Sequence, residues 1–324
     1  MKIALKQYRV KAGLTQAALA KAVGVSQPNY QRWESGAAPV PNDKLKKLAK
    51  VLRTSVDALQ GTHPAIKTSL YGRSVHEDLS YYGEVAIHFH GGGKAILLSI
   101  SDGAFSRLHR DLQVGAAFVC VESLANQMVI IRRQAISDLY FSSEAYDDYG
   151  PEHGKYEDHV DLQMPARRDW EIVEAIACDG VGLEDFSEAD VQRVSNQITI
   201  TDEQYEQLVT DGLIARENLE AEKARNQEET ERICALATQV SYQFSSGLRR
   251  SVALEDCGDL FGVFGPLLDD SDDELSDALI RLPIVPWHRI AFINKLALDY
   301  VMLPTHRFEQ GRFEMEAKLL DEPA

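Results

Sequence analysis

The chain has 324 residues, 44% hydrophobic and 26% charged, with a formal net charge of −16. These values exclude a wholly disordered chain and leave room for two or three domains with their own cores. Four scattered cysteines (Cys120, Cys178, Cys234 and Cys257), none in a Cys-x-x-Cys pair, argue against a zinc site or a disulfide framework and for free thiols in a reducing compartment.

The charge is unevenly spread. Residues 1–61 carry eleven Lys and Arg against Glu34, Asp43 and Asp57, a net of +8, which leaves −24 for the remainder. A basic unit is thus joined to an acidic body, and the basic unit keeps its own positive field. The chain opens with no apolar run of signal length. Its longest apolar stretch near the C-terminus, Ile290 to Leu303, is interrupted by Asn294, Lys295 and Asp299, so it is expected to be a buried helix and not a membrane span. A cytoplasmic protein with no membrane partner is expected.

Residues 1–61 predict five short helices. Ile3, Leu5, Tyr8, Val10 and Leu14 suit the first. Thr15 is placed to cap a second, with Leu19 and Val23 on its inner face, and Gly24 to end it in the left-handed conformation. Ser26 is expected to cap a third helix in which Tyr30 and Trp33 point inward. Asn42 is expected to cap a fourth with Leu45, Leu48, Ala49 and Leu52 inside, and Ser55 a short fifth. Helix, short turn with Gly, helix is the helix-turn-helix pattern.

The stretch LTQAALAKAVGVSQPNYQRWESG, Leu14 to Gly36, resembles the Cro- and repressor-type helix-turn-helix domains of phages and bacteria, the Xre family. Leu-Thr-Gln, Leu-Ala, Gly-Val-Ser and Trp-Glu-x-Gly fall at the family's positions, and LKKLAKVLRTSVDAL matches its fourth and fifth helices. The resemblance covers residues 1–61. It implies a third helix that enters the major groove by its N-terminal end, from Ser26 onward, and presents Gln27, Pro28, Asn29, Gln31 and Arg32. Gln pairs bidentately with adenine and Arg with guanine. The family assigns base reading chiefly to Gln27, Pro28 and Arg32, and a phosphate clamp to Gln16 at the start of the second helix. Pro28 departs from the pattern, since it has no donor and offers only apolar contact. Ser35 and the lysines Lys44, Lys46 and Lys47 are candidate phosphate contacts, or, for the lysines equally, a solvated helix face. The resemblance also implies that Arg9 and Glu34 pair across the first and third helices, orienting the reading helix without touching DNA. It points to a bacterial or phage protein acting on double-stranded, pseudo-palindromic DNA as a homodimer or higher oligomer.

The remainder reads as a linker (62–82), a small five-stranded antiparallel or barrel-like β domain (83–145), an acidic loop (146–165) and a mostly helical region (166–324), in all a multi-domain α+β chain. EVAIHFH and KAILLSI are two strands joined by Gly91–Gly93, a short helix covers about Ala104 to Leu112, and AAFVCVES, QMVIIRR and AISDLYFS complete the five strands. The loop from Ser142 to Asp161, rich in Asp, Glu and Tyr, reads as a connection between domains, or as an acidic surface that mimics DNA or binds a basic partner such as the chain's own head. Farther on, RRDWEIVEAIACDG is amphipathic, Ser187 and Asp202 start further helices, and Ile233, Leu236, Ala237, Val240 and Phe244 make one helical apolar stripe, read as core or as a self-association face. His88 and His90 share a strand face without two further ligands at metal spacing, so no metal is expected.

No cofactor motif is present, and the body shows no His-Glu-x-x-His, no phosphate loop and no Gly-x-Ser-x-Gly elbow. A non-enzyme is expected. Two readings remain: a sequence-specific regulator, of repressor type, whose body oligomerises and senses a small-molecule effector or a partner; and an antitoxin-like or phage-defence interaction protein whose body binds another protein. In either, the acidic body weakens indiscriminate adhesion to DNA.

Overall fold

A computed structural model describes residues 4–61, 67–68, 80–145, 149–151, 156, 159–254, 259–269, 279–284 and 289–322. Cys257 lies outside the described residues, as do most of the expected linker and all but the first residue of the short acidic run DDSDDELSD, 269–277.

The head holds five helices: α1 (Leu5–Lys11), α2 (Gln16–Val23), α3 (Gln27–Glu34), α4 (Asn42–Val51) and α5 (Val56–Gln60). Thr15 Oγ1 accepts the Ala18 N–H at 3.0 Å and Ser55 Oγ that of Ala58 at 2.9 Å, so two expected caps are in place. Gly24 ends α2 at φ 75°, a conformation strained for any residue with a Cβ. Two other caps differ. Ser26 stands at the N-cap of α3 but its hydroxyl takes no helical N–H, and Asn42 is the first residue inside α4, with Pro41 before it. Leu5, Leu19, Val23, Tyr30, Trp33, Leu45, Leu48 and Leu59 form one core.

The body is built on two sheets. In the first, β2 (Ser80–Phe89) pairs antiparallel with β3 (Ile96–Ser101) and β6 (Ile136–Ser143), and its start runs parallel to the short β1 (Lys67–Thr68). In the second, β4 (Phe118–Glu122), β5 (Gln127–Arg132), β11 (Leu298–Pro304), β7 (Gln239–Phe244) and β8 (Arg249–Ala253) lie in that order. In a separate two-stranded sheet, β9 (Ile280–Ile284) pairs antiparallel with β10 (Arg289–Ile293).

The five strands expected between 83 and 145 are all present, but they do not close on themselves. Three lie in the first sheet and two in the second, where β5 pairs with β11, Ile130 opposite Val301. The region from 166 onward is correspondingly less helical than expected. Residues 239–304 supply five strands, and the apolar run expected as a buried helix is β10, a short 3-10 turn and β11. For β11 the cause lies in burial on both faces. Tyr300 and Met302 face the first sheet with Val129, Ile131, Val85 and Leu98, while Val301 and Leu303 face Phe264, Leu282 and Phe308 on the other side. A strand covered on both faces has no polar alternation, and its apolar run cannot be told from a helix by period.

Gly91 and Gly93 do more than turn the chain. A Cβ on Gly91 would stand 1.8 Å from the Ser245 carbonyl oxygen, and one on Gly93 2.0 Å from the Gln243 amide nitrogen, so the turn seats directly on β7 and its end.

The helices of the body are α6 (Asp102–Asp111), α7 (Arg167–Ala177), α8 (Glu188–Ile198), α9 (Asp202–Thr210), α10 (Leu219–Thr238), α11 (Leu260–Phe264) and α12 (Thr305–Asp321). Trp170, Ile172, Val173, Val194, Ile198, Ile233 and Ala237 bind α7, α8 and α10 into a helical layer. Thr201, and not Asp202, caps α9, in a reciprocal capping box with Gln204. The expected stripe splits: Ile233 and Ala237 are helical, whereas Val240 and Phe244 lie on β7. The whole is a mixed α+β protein, and no helix among the described residues is long and apolar enough to cross a membrane.

Candidate nucleic-acid interface

The head is organised around one buried ion pair. Arg9, fully buried on α1, donates from Nε to Glu34 Oε2 at 2.8 Å and from Nη2 to Oε1 at 3.0 Å. The same guanidinium donates from Nη1 to the Leu14 carbonyl at 2.8 Å, tying the α1–α2 turn to the pair. The Tyr30 hydroxyl donates to Glu34 Oε2 at 2.6 Å, and Gln16 Nε2 to Oε1 at 3.0 Å. Burial alone would raise the Glu34 carboxyl, but the hydrogen bonds from Arg9, Tyr30 and Gln16, with the Arg9 charge, hold it below its ordinary value. Burial and then the Glu34 charge push the Tyr30 phenol far up, so it remains a donor at any physiological pH. A carboxylate with this many donors fixes α3 against α1 and α2 in one orientation.

With Tyr30, Trp33 and Glu34 turned inward, the remaining α3 side chains face solvent. Ser26, Gln27, Pro28, Asn29, Gln31, Arg32 and Ser35 are all exposed, and they form one continuous surface at the mouth and outer face of the helix. Pro28 sits in the first turn, where its missing N–H leaves no helical bond unmade. The Ser35 hydroxyl donates to the Arg32 carbonyl at 3.3 Å, close to the end of α3.

Two expected contact residues sit differently from the rest. Lys44 is half-buried, and its Nζ lies 3.3 Å from the Val23 carbonyl and 3.5 Å from that of Gly24, where it neutralises the C-terminal end of α2. Lys46 and Lys47 on the same helix are exposed. One N–H of the Gln16 side-chain amide is engaged by Glu34, which leaves its second N–H and the main-chain N–H as donors for an anion. The main-chain N–H is the one at the helix N-terminus. That N–H is itself occupied: Asp321, at the end of α12, accepts it through Oδ1 at 2.9 Å. The contact joins residues 305 positions apart, and nothing in the local pattern around Asp321 announces it.

The arrangement has a rigid short helix whose polar face points outward, a basic unit behind it and a helix N-terminus beside it. This defines a DNA-binding module of the helix-turn-helix class, the part of a transcription regulator that contacts double-stranded DNA. Residues 5–59 match the family model described as Helix-turn-helix. No curated protein and no solved structure matches the chain.

In the body, a second polar cluster escaped the sequence reading. Asn126, at φ 63° in the β4–β5 turn, accepts the Thr305 N–H at its carbonyl (2.8 Å) and the His306 N–H at Oδ1 (3.0 Å), capping α12. Its amide nitrogen lies 3.0 Å from both the Leu236 carbonyl and His306 Nδ1. His306 Nε2 is 2.8 Å from Glu174 Oε2, which also accepts from Arg307 Nε at 2.7 Å. This geometry suits a neutral imidazole that donates from Nε2 and accepts at Nδ1. Burial, and to a lesser degree the Arg307 charge, lowers the His306 pKa. Burial opposes ionisation of Glu174, yet its bonds to His306 and Arg307 bring its pKa down to about 2. The cluster locks α12 to the second sheet and to α7. The one available clue was an Asn in a link too tight for most residues.

Proposed function

We propose that the chain is a sequence-specific regulator of repressor type, in which residues 1–61 read an operator and the body oligomerises and senses an effector or a partner. The observation that carries this reading is the uninterrupted exposed surface of Gln27, Pro28, Asn29, Gln31 and Arg32, held in place by the Arg9–Glu34 pair. Gln27 and Arg32 have the donors for adenine and guanine edges, Pro28 offers an apolar contact to a thymine methyl, and Lys46 and Lys47 stand ready for phosphates. Two heads in a dimer would address half-sites about 34–36 Å apart.

Two features of the body support the rest. Ile290 and Phe292 stand exposed at alternate positions of β10, an apolar face of the kind a second copy covers. A cleft of about 1500 Å³ opens between head and body, with Lys6, Tyr8 and Arg53 on one wall and Arg107, Arg168 and Thr305 on the other. The Thr305 hydroxyl there is buried without a hydrogen-bond partner among the described residues. An effector in this cleft touches both parts at once, which is what coupling requires.

The test is selection of binding sites from a random duplex pool with the full chain, followed by titration of the selected site at two salt concentrations. Tight binding that Arg32→Ala weakens on the selected site but not on scrambled DNA supports the reading. Binding that is indifferent to sequence and to Arg32 removes it.

A further inference from the structure

The head does not stand free of the body. Val10 on α1 packs against Phe313 and Ala317 of α12, all three buried, with Leu320 beside them. The Phe313 ring carries the Arg312 guanidinium at 4.6 Å and has Lys11 Nζ 6.0 Å from its centre. One helical turn beyond Ala317, Asp321 closes the contact. Its Oδ1 takes the Gln16 N–H at 2.9 Å, and its Oδ2 lies 3.1 Å from Arg9 Nη2.

These donors are the ones an anion would use. The first N–H groups of a helix have no partner within the helix and lie at the positive end of its dipole. The start of α2 therefore combines a main-chain donor with a guanidinium fixed in place by Glu34. Gln16 is also the position at which a phosphate clamp is expected from the family resemblance. A carboxylate oxygen and a phosphate oxygen cannot both accept the same N–H at 2.9 Å. The body supplies this carboxylate intramolecularly, so it is always present at high effective concentration, whereas DNA must compete for the corner from solution.

We propose that Asp321 substitutes for a DNA phosphate at the start of α2, and that α12 must leave the head before the head closes on DNA. The proposal rests on the DNA-reading function above and adds its control: the free chain is held in a closed state, and whatever separates α12 from α1 opens it. In this closed state α3 stays exposed, so the occupied corner removes a positioning contact and leaves the reading surface intact. Apparent DNA affinity is then reduced by the fraction of chains that are open.

The experiment uses the full chain, a labelled mixed-sequence duplex as probe, and hydrogen exchange at the Gln16 amide. Asp321→Asn removes the charge from the contact, Phe313→Ala removes the packing without changing charge, and Glu322→Gln removes an acidic charge one residue away. Asp321→Asn and Phe313→Ala are each expected to tighten duplex binding about tenfold and to speed Gln16 exchange, with Glu322→Gln near wild type on both. Faster Gln16 exchange in Asp321→Asn with unchanged duplex affinity overturns the proposal, since the corner would be open without consequence. Unchanged exchange in both Asp321→Asn and Phe313→Ala overturns it too: an Asn oxygen can still accept the Gln16 N–H, but loss of the Phe313 packing should free the corner if α12 holds it. Equal tightening by Glu322→Gln reduces the effect to net charge and also defeats it. If no variant binds any duplex, the DNA-reading function itself fails, and the Gln16 exchange still reports separately whether α12 is docked.

Discussion

Head and body are stabilised by different kinds of contact. In the head, apart from the docking of α12 on Val10, Arg9 and Gln16, the contacts that set the fold lie within residues 5–59: short helices, near caps, one apolar core and one ion pair spanning 25 positions. In the body the decisive contacts are remote. β5 meets β11, Asn126 meets His306 across 180 positions, and two sheets share a core that neither completes alone. A locally determined unit can keep a recognisable motif on almost any body, whereas a remotely determined one has no short signature to keep. That difference accounts for a family match confined to the head.

The largest test of this contrast removes the centre of the head. Glu34→Ala removes the bidentate, buried partner of the Arg9 guanidinium and leaves only the partly exposed Asp321 carboxylate beside it, a change expected to cost about 3 kcal/mol. A five-helix unit of this size has little more than that in hand. Hydrogen exchange should show head amides losing protection while β5, β7 and β11 keep theirs. Equal loss in both parts would mean that head and body fold as one unit.

Acid should separate the two parts next. Glu34 is held below its ordinary value of 4.5, so its contribution is full above that pH and fades as pH falls toward the folded value. Glu174 behaves alike in the body, its contribution fading between pH 4.5 and about 2, a loss on the order of 3 kcal/mol. His306 adds an earlier onset. Its folded pKa lies below 6.5, so beneath pH 6.5 the unfolded chain binds a proton that the folded chain refuses, and stability falls. Body amides should therefore begin to weaken about two pH units before head amides, and His306→Gln should abolish that early onset. Coincident profiles would contradict the neutral His306.

How far the sequence revealed all this follows the same division. Thr15, Gly24, Ser55 and the inward Tyr30 and Trp33 were legible because turn and cap chemistry is local. The strands between 83 and 145 were legible individually from their β-branched runs, but their partners were not, since pairing of β5 with β11 is set by distant burial. The run around Tyr300 misled for a definite reason: burial on both faces erases the alternation that marks a strand. Asp321 was illegible altogether. An acidic residue among forty-seven in the body carries no mark of the one that reaches the head.

Asn126 sharpens the contrast at smaller scale. Asn126→Ala removes the Oδ1 acceptor for the His306 N–H and the hydrogen bond that Nδ2 donates to the Leu236 carbonyl, and it leaves a residue without a polar side chain at φ 63°. The expected cost is about 2–3 kcal/mol, confined to the body. Melting of the body should fall while the helical signal of the head persists.

The smallest expected effect lies within the head, on one helix. Lys44 and Lys46 are both lysines of α4, yet the Lys44 ammonium sits on the Val23 and Gly24 carbonyls and Lys46 faces solvent. Lys46→Ala should leave stability unchanged, weaken binding alike on all sequences and reduce the salt slope of log K by about one. Lys44→Ala should instead cost about 0.3–1 kcal/mol of head stability through the uncompensated end of α2, and change the salt slope less. Measuring slope and melting on the same two variants separates a lysine that neutralises DNA from one that neutralises a helix. If both change the slope by one and neither changes melting, Lys44 leaves the α2 carbonyls when DNA arrives, and the electrostatics of the head are set by its partner as much as by its own fold.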